Sequence, residues 1–80
     1  MGYEIRTFTV FRRGEIAQET HAPELVNAPD EPQFFGVVFP SGKTVINWNT
    51  AAKSIAIFDS FEELDLVHGH PEYETEWVWG

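Results

Sequence analysis

Apolar and polar residues alternate along Tyr3-Glu4-Ile5-Arg6-Thr7-Phe8-Thr9-Val10-Phe11-Arg12, a β-branched and aromatic run that predicts a strand. The apolar phase shifts from Tyr3 and Ile5 to Phe8 and Val10, which predicts a bulge near Arg6-Thr7 or burial on both faces. Arg13-Gly14 can turn the chain into a second strand over residues 15–20, with Ile16 and Ala17 as its apolar content. Residues 21–33 place Pro23, Pro29 and Pro32 among Asn and acidic residues, so they read as a Pro-rich acidic loop of the kind that carries function or motion in a small domain.

Phe34–Phe39 and Lys43–Trp48 flank Pro40-Ser41-Gly42 and predict a hairpin. Proline ends a ladder there, and Gly42 can take a positive φ. Phe34-Phe35-Gly36-Val37-Val38-Phe39 is apolar in both phases, as a central strand covered on both sides would be. Ser54-Ile55-Ala56-Ile57-Phe58 predicts a further strand, and Asp59-Ser60 ends it. Ser60-Phe61-Glu62-Glu63 then matches a capping box, opening a short helix over about residues 60–68 that Gly69 stops. Phe61, Leu64 and Val67 share one face of that helix, while Glu62, Glu63 and Asp65 face water. After a turn containing Pro71, Thr75–Trp79 alternates as a final strand with Trp77 and Trp79 on one face and Val78 on the other. The expected fold is α+β: a small antiparallel sheet of four to five strands with one short helix packed on it.

With 80 residues the chain is read as a single domain over 1–80. Such a size depends on a few large side chains for its core, and aromatic residues make up 15% of this chain. The absence of cysteine removes disulfides, thiolate metal sites and a Cys nucleophile, and cytoplasmic location is the default expectation. No long apolar stretch predicts a membrane segment, and no basic region followed by an apolar core predicts an export signal. The formal net charge is −8 and is unevenly spread: Arg6, Arg12 and Arg13 lie near the start, whereas residues 59–76 hold seven acidic residues and no Lys or Arg. Phosphate backbones repel such a surface, so direct nucleic-acid binding is not expected unless Arg6, Arg12, Arg13, Lys43 and Lys53 cluster.

Few motifs carry chemistry. His68-Gly69-His70 is the one tight cluster of metal-capable ligands, with Asp65 and Glu72 near in sequence. The plainer reading has His68 closing the helix against its dipole and His70 bonding locally. No metal and no cofactor are therefore expected. Pro40-Ser41-Gly42-Lys43 lacks the strand-to-helix context of a phosphate loop, and no base and nucleophile are paired by spacing, so the chain is not expected to be an enzyme.

Gly36-Val37-Val38-Phe39-Pro40-Ser41-Gly42, Trp48, Phe58-Asp59-Ser60 with Glu62-Glu63, Val67-His68-Gly69-His70 and the terminal Trp77-Val78-Trp79 resemble a family of small domains in actinobacterial and bacteriophage genomes. That family has a Gly-Val-x-Phe-x-Asp/Ser-Gly hairpin, a Ser-x-Glu-Asp/Glu helix start, a Val/Ile-His-Gly-His and a terminal Trp. The resemblance spans roughly residues 36–79 and departs at Pro71-Glu72-Tyr73 and across 14–33. It implies the fold and a phage or mobile-element origin, and it implies no mechanism. The expected function is a small acidic, non-catalytic binding module that meets a protein partner, in one version a phage inhibitor presenting a phosphate-like acidic surface. The partner-binding residues would be Glu62, Glu63, Asp65, Glu72, Glu74, Glu76, Trp48, Trp77 and Trp79. The alternative is a small-ligand or metal-binding domain built on His68 and His70, with Trp77 or Trp79 as a stacking wall.

Overall fold

A computed structural model describes residues 3–14 and 27–80. Five strands form one sheet: β1 (Arg6–Arg12), β2 (Phe34–Val38), β3 (Thr44–Trp48), β4 (Ile55–Phe58) and β5 (Thr75–Trp79). Their spatial order is β4-β3-β2-β1-β5, and every neighbouring pair is antiparallel. One helix, α1 (Phe61–His68), and a 3₁₀ turn (Pro71–Tyr73) link β4 to β5 across the whole width of the sheet. The predicted α+β architecture is thus observed in its five-stranded form. The proposed strand at 15–20, and residues 21–26 of the proposed loop at 21–33, lie outside the described residues.

The β2–β3 turn forms where Pro40 and Gly42 predicted it. Gly42 has φ +93°, and its amide donates to the Phe39 carbonyl at 2.8 Å. Ser60 caps α1, its hydroxyl accepting from the Glu63 amide at 3.1 Å. The Glu63 carboxylate reaches back one residue further than a capping box requires and accepts from the Asp59 amide at 3.1 Å. Gly69 does not end the helix in a left-handed conformation. It remains right-handed at φ −65°, and the chain turns instead at His70, φ +34°.

The register assigns each residue of the sheet to a face. Phe8, Val10, Phe34, Ile46, Trp48, Phe58 and Trp77 share the face that α1 covers, and with Leu64 they form or flank the core. Phe8 is ringed by Phe61, Trp77 and Trp79 at centroid distances of 5.7, 5.6 and 5.2 Å. The opposite face carries no helix among the described residues and leaves Phe35 exposed, so β2 is central but not sealed on that side at Phe35. The phase shift in β1 has a similar origin. Tyr3 and Ile5 precede the strand and are exposed, and β1 itself runs unbroken from Arg6 to Arg12 without the expected bulge.

The expected helix face is corrected at one position. Leu64 is fully buried and Phe61 packs against the core, but Val67 is 48% exposed. His68, seven residues after Phe61, completes the stripe by packing edge-on against Phe34, Trp48 and Phe58. Leu64→Ala should therefore cost about 2–5 kcal/mol in denaturant unfolding, whereas Val67→Ala should stay within about 0.5 kcal/mol. Equal costs at the two positions would contradict this packing.

Candidate functional site

A cavity of about 310 Å³ opens where the end of β1, the end of β3 and the C-terminus of α1 meet. Its lining includes Arg12, Gln33, Trp48, Thr50, His68 and His70. Arg12 follows Phe8 and Val10 in the inward phase of β1, so the strand's alternation carries a guanidinium into the layer between sheet and helix, where it is only 5% exposed. Its Nη2 donates to the His68 carbonyl at 3.3 Å, satisfying one of the open acceptors at the helix end, and its Cζ lies 5.2 Å from the Tyr73 ring centroid. Its buried Nε has no hydrogen-bond partner among the described residues. Burial weakens the guanidinium's hold on its proton, Tyr73 and Glu72 oppose that effect, and arginine stays charged regardless. The pocket is therefore lined by a largely dehydrated cation, one of whose donors has no partner among the described residues.

Two imidazoles share the cavity, their ring centroids 6.4 Å apart. His68 stacks edge-on with Trp48 at 5.0 Å. Desolvation is the main cause that lowers its pKa, and the neighbouring Arg12 and His70 push in the same direction, so neutral imidazole is favoured. His70 Nδ1 lies 3.0 Å from a Glu72 carboxylate oxygen, and its ring lies against Tyr73 at 4.8 Å. The Glu72 carboxyl is held below its usual range by its own backbone amide and then by His70. His70 and Glu74 adopt left-handed backbone conformations on either side of the 3₁₀ turn. That strain is of the kind found where a side chain must be aimed.

The candidate residues do not all meet here. Trp48, His68 and His70 line the cavity, and Glu72 stands behind His70. Trp77 packs into the core against Phe8, Phe34 and Phe61, and Trp79 lies over Phe61 with the Arg6 guanidinium 4.1 Å from its ring. Neither is among the residues lining the His68–His70 cavity. Glu62, Glu63 and Asp65 are exposed on α1, whereas Glu76 belongs to the opposite sheet face and bonds Arg13 at 2.6 Å. Glu74 lies beside the β1 end, where its carbonyl accepts from the Arg13 amide. The six carboxylates are thus spread over several surfaces. Among the described residues, no three His, Asp or Glu groups cluster as a metal site would need.

Sequence reasoning singled out the histidines and Trp48 but gave Arg12, Gln33 and Thr50 no site role. The signal was present for Arg12, because a residue in phase with Phe8 and Val10 on one strand shares their face, and a buried charge is weak evidence for a stabilising role.

His68 makes a titration prediction. Its folded-state pKa lies below the unfolded value near 6.5, so protonation favours the unfolded chain. Its stabilising effect is present in full above that value and falls away as pH drops toward the folded-state pKa. Unfolding free energy measured from pH 8 to pH 5 should decline below about pH 6.5, and His68→Gln should flatten that decline.

A one-layer antiparallel sheet crossed by a helix, with a basic and aromatic pocket at the helix end, defines a small α+β domain. Residues 34–80 match the family model described as Acb5 phage protein, and the chain belongs to that family. The match begins at β2 and includes both histidines and Trp48, leaving Arg12 and Gln33 outside it. No match was found among the curated proteins or among the solved structures. No helix among the described residues is long and apolar enough to cross a membrane.

Proposed function

We propose that this phage-family domain binds a small anionic ligand carrying a planar ring, of the chemical class of a nucleotide, in the cavity between Arg12, Trp48, His68 and His70. The observation that carries this reading is Arg12, a lining residue of the cavity that is 95% removed from solvent and whose Nε has no hydrogen-bond partner among the described residues. A buried cation with a free donor is costly unless an anion satisfies it, and a guanidinium suits phosphate oxygens. Trp48 and the imidazoles offer flat surfaces for a ring, and about 310 Å³ is within the range of small-molecule pockets. This favours the small-ligand reading over an acidic protein-docking surface, since the carboxylates that would form such a surface are dispersed.

Thermal unfolding with AMP, ribose 5-phosphate and inorganic phosphate tests it, because a ligand that binds only the folded state raises the melting temperature. AMP should raise it most and quench Trp fluorescence. If none of the three shifts the transition at millimolar concentration and low salt, the reading fails.

A second reading rests on the two imidazoles. His68, kept neutral, can take the proton of an attacking water as its oxygen bonds to phosphorus. His70, hydrogen-bonded to Glu72, can deliver a proton to the leaving oxygen as the P–O bond breaks, and Arg12 can offset the charge that builds between them. That would make the domain a metal-independent phosphodiesterase instead of a non-catalytic binder. Incubating bis(p-nitrophenyl) phosphate with wild type and with His68→Gln separates the two. Nitrophenol release that the variant loses supports cleavage, and no release by the wild type leaves binding alone.

A further inference from the structure

The connection between β3 and β4 forms one wall of the cavity, with Thr50, Ala52 and Ser54 among the lining residues. It is braced by its own groups. The Trp48 amide donates to the Ser54 carbonyl at 2.9 Å, Asn47 Nδ2 donates to the Lys53 carbonyl at 3.0 Å, and the Thr50 hydroxyl donates to the Ala52 carbonyl at 2.9 Å. Lys53 thus has an anchored backbone. Its side chain doubles back, and Nζ donates at 2.9 Å to the carbonyl of Thr50, itself a lining residue. Acidic residues outnumber Lys and Arg by 13 to 5 in this chain, and Arg13 and Lys43 are paired with Glu76 and Asp59. Lys53 has no carboxylate partner among the described residues, and neither has Arg12. Glu72, whose charge acts on Arg12, is hydrogen-bonded to His70, and Arg6 lies over Trp79 outside this cavity.

We propose that Lys53 is a second phosphate-binding residue of this cavity, so that the ligand is a nucleoside diphosphate with one phosphoryl group at Arg12 and the other at Lys53. The proposal rests on the nucleotide reading above and narrows it. The two cations reach the cavity from different walls, Arg12 from the end of β1 and Lys53 from beyond β3. Those strands have β2 between them and so lie two strand spacings apart, about 10 Å. Arg12 is buried, and its guanidinium is fixed between the His68 carbonyl and the Tyr73 ring, so it serves a group deep in the pocket. Lys53 is exposed and stands on the solvent side. There its ammonium holds only a neutral carbonyl, and a phosphoryl oxygen, being charged, accepts a hydrogen bond roughly twice as strong. A diphosphate's extra negative charge would otherwise meet a protein of net charge −8. A flexible stem bearing a point charge suits the outer group as the rigid fork suits the inner one.

Calorimetric titration of the full chain with AMP and with ADP, without divalent cations, tests the inference. The wild type should bind ADP about tenfold more tightly than AMP, the gain expected of one further charge-assisted hydrogen bond. Lys53→Gln should remove that preference, and Lys53→Arg should retain it, because either cation can meet a phosphoryl group at an exposed position. Affinity for ADP should also fall more steeply than affinity for AMP between about 50 and 500 mM NaCl, since an outer ion pair is screened by salt. A wild type that binds AMP but binds ADP no more tightly would overturn the inference and leave the nucleotide reading standing. So would a preference for ADP that Lys53→Gln keeps. If neither nucleotide binds, the nucleotide reading itself falls and this inference falls with it.

Discussion

Replacing Arg12 with Met should abolish nucleotide binding while leaving the fold as stable as before or more so. Arg12 is almost fully buried, and among the described residues its guanidinium makes one 3.3 Å bond to the His68 carbonyl and a ring contact with Tyr73. A desolvated charge so sparsely compensated is weak evidence for stability, and a flexible apolar side chain of similar length can fill its space. A ligand phosphate, in contrast, would lose charge-assisted hydrogen bonds worth about 1.5–3 kcal/mol each, or about 10- to 150-fold in affinity. Calorimetric titration with AMP and thermal unfolding of the same samples measure both quantities. Lost affinity with a melting temperature held within about 4 °C, which for a domain this size is under about 1 kcal/mol, is the expected pair. A melting temperature lowered by more than 10 °C would instead make Arg12 a structural residue. Arg12→Lys should also bind poorly, because an ammonium cannot reproduce the guanidinium's fork.

A large effect on stability should come from a single added methyl group. Gly36 sits opposite Phe8 in the β1–β2 register, and the Phe8 ring lies over it. A Cβ added at Gly36 would fall inside that ring's van der Waals envelope, with ring carbons as the three nearest atoms. The ring has nowhere to go, since Phe61, Trp77 and Trp79 box it on the helix side and only 2% of Phe8 is exposed. Gly36→Ala should therefore destabilise by about 3 kcal/mol or more, at the upper end of overpacking, and lower the melting temperature by about 12 °C or more. Phe8→Leu in the same chain should recover part of that loss by vacating the space. A double-mutant cycle with no coupling between the two positions would refute the stacking of ring on glycine.

These two positions show where sequence reading succeeds and where it stops. The β2–β3 turn, the Ser60 cap and the final Trp-Val-Trp strand were legible because their causes are local: a proline that cannot pair, a glycine at positive φ, a hydroxyl three residues before an amide. Alternation likewise marked β1 as a strand, whereas that Phe8 and Val10 are its core residues emerged from the structure. Val67 was misplaced because the helix face alone does not say which of two neighbouring positions the sheet will cover. Trp48, on β3, brought His68 inward and left Val67 in solvent.

The pocket is a product of tertiary structure in the same sense. Arg12 and His68 are 56 residues apart, and Trp48 lies on a third element. Only the order β4-β3-β2-β1-β5 brings the ends of β1 and β3 to the same edge as the helix C-terminus. By itself the sequence determined an acidic, cysteine-free α+β domain with a capped short helix, because charge, composition and capping act within a few residues of where they are written. Tertiary structure decided which tryptophan meets the histidines, which sheet face the helix covers, and that a charged side chain ends inside, because pairing across strands joins residues whose separation in sequence carries no local signal.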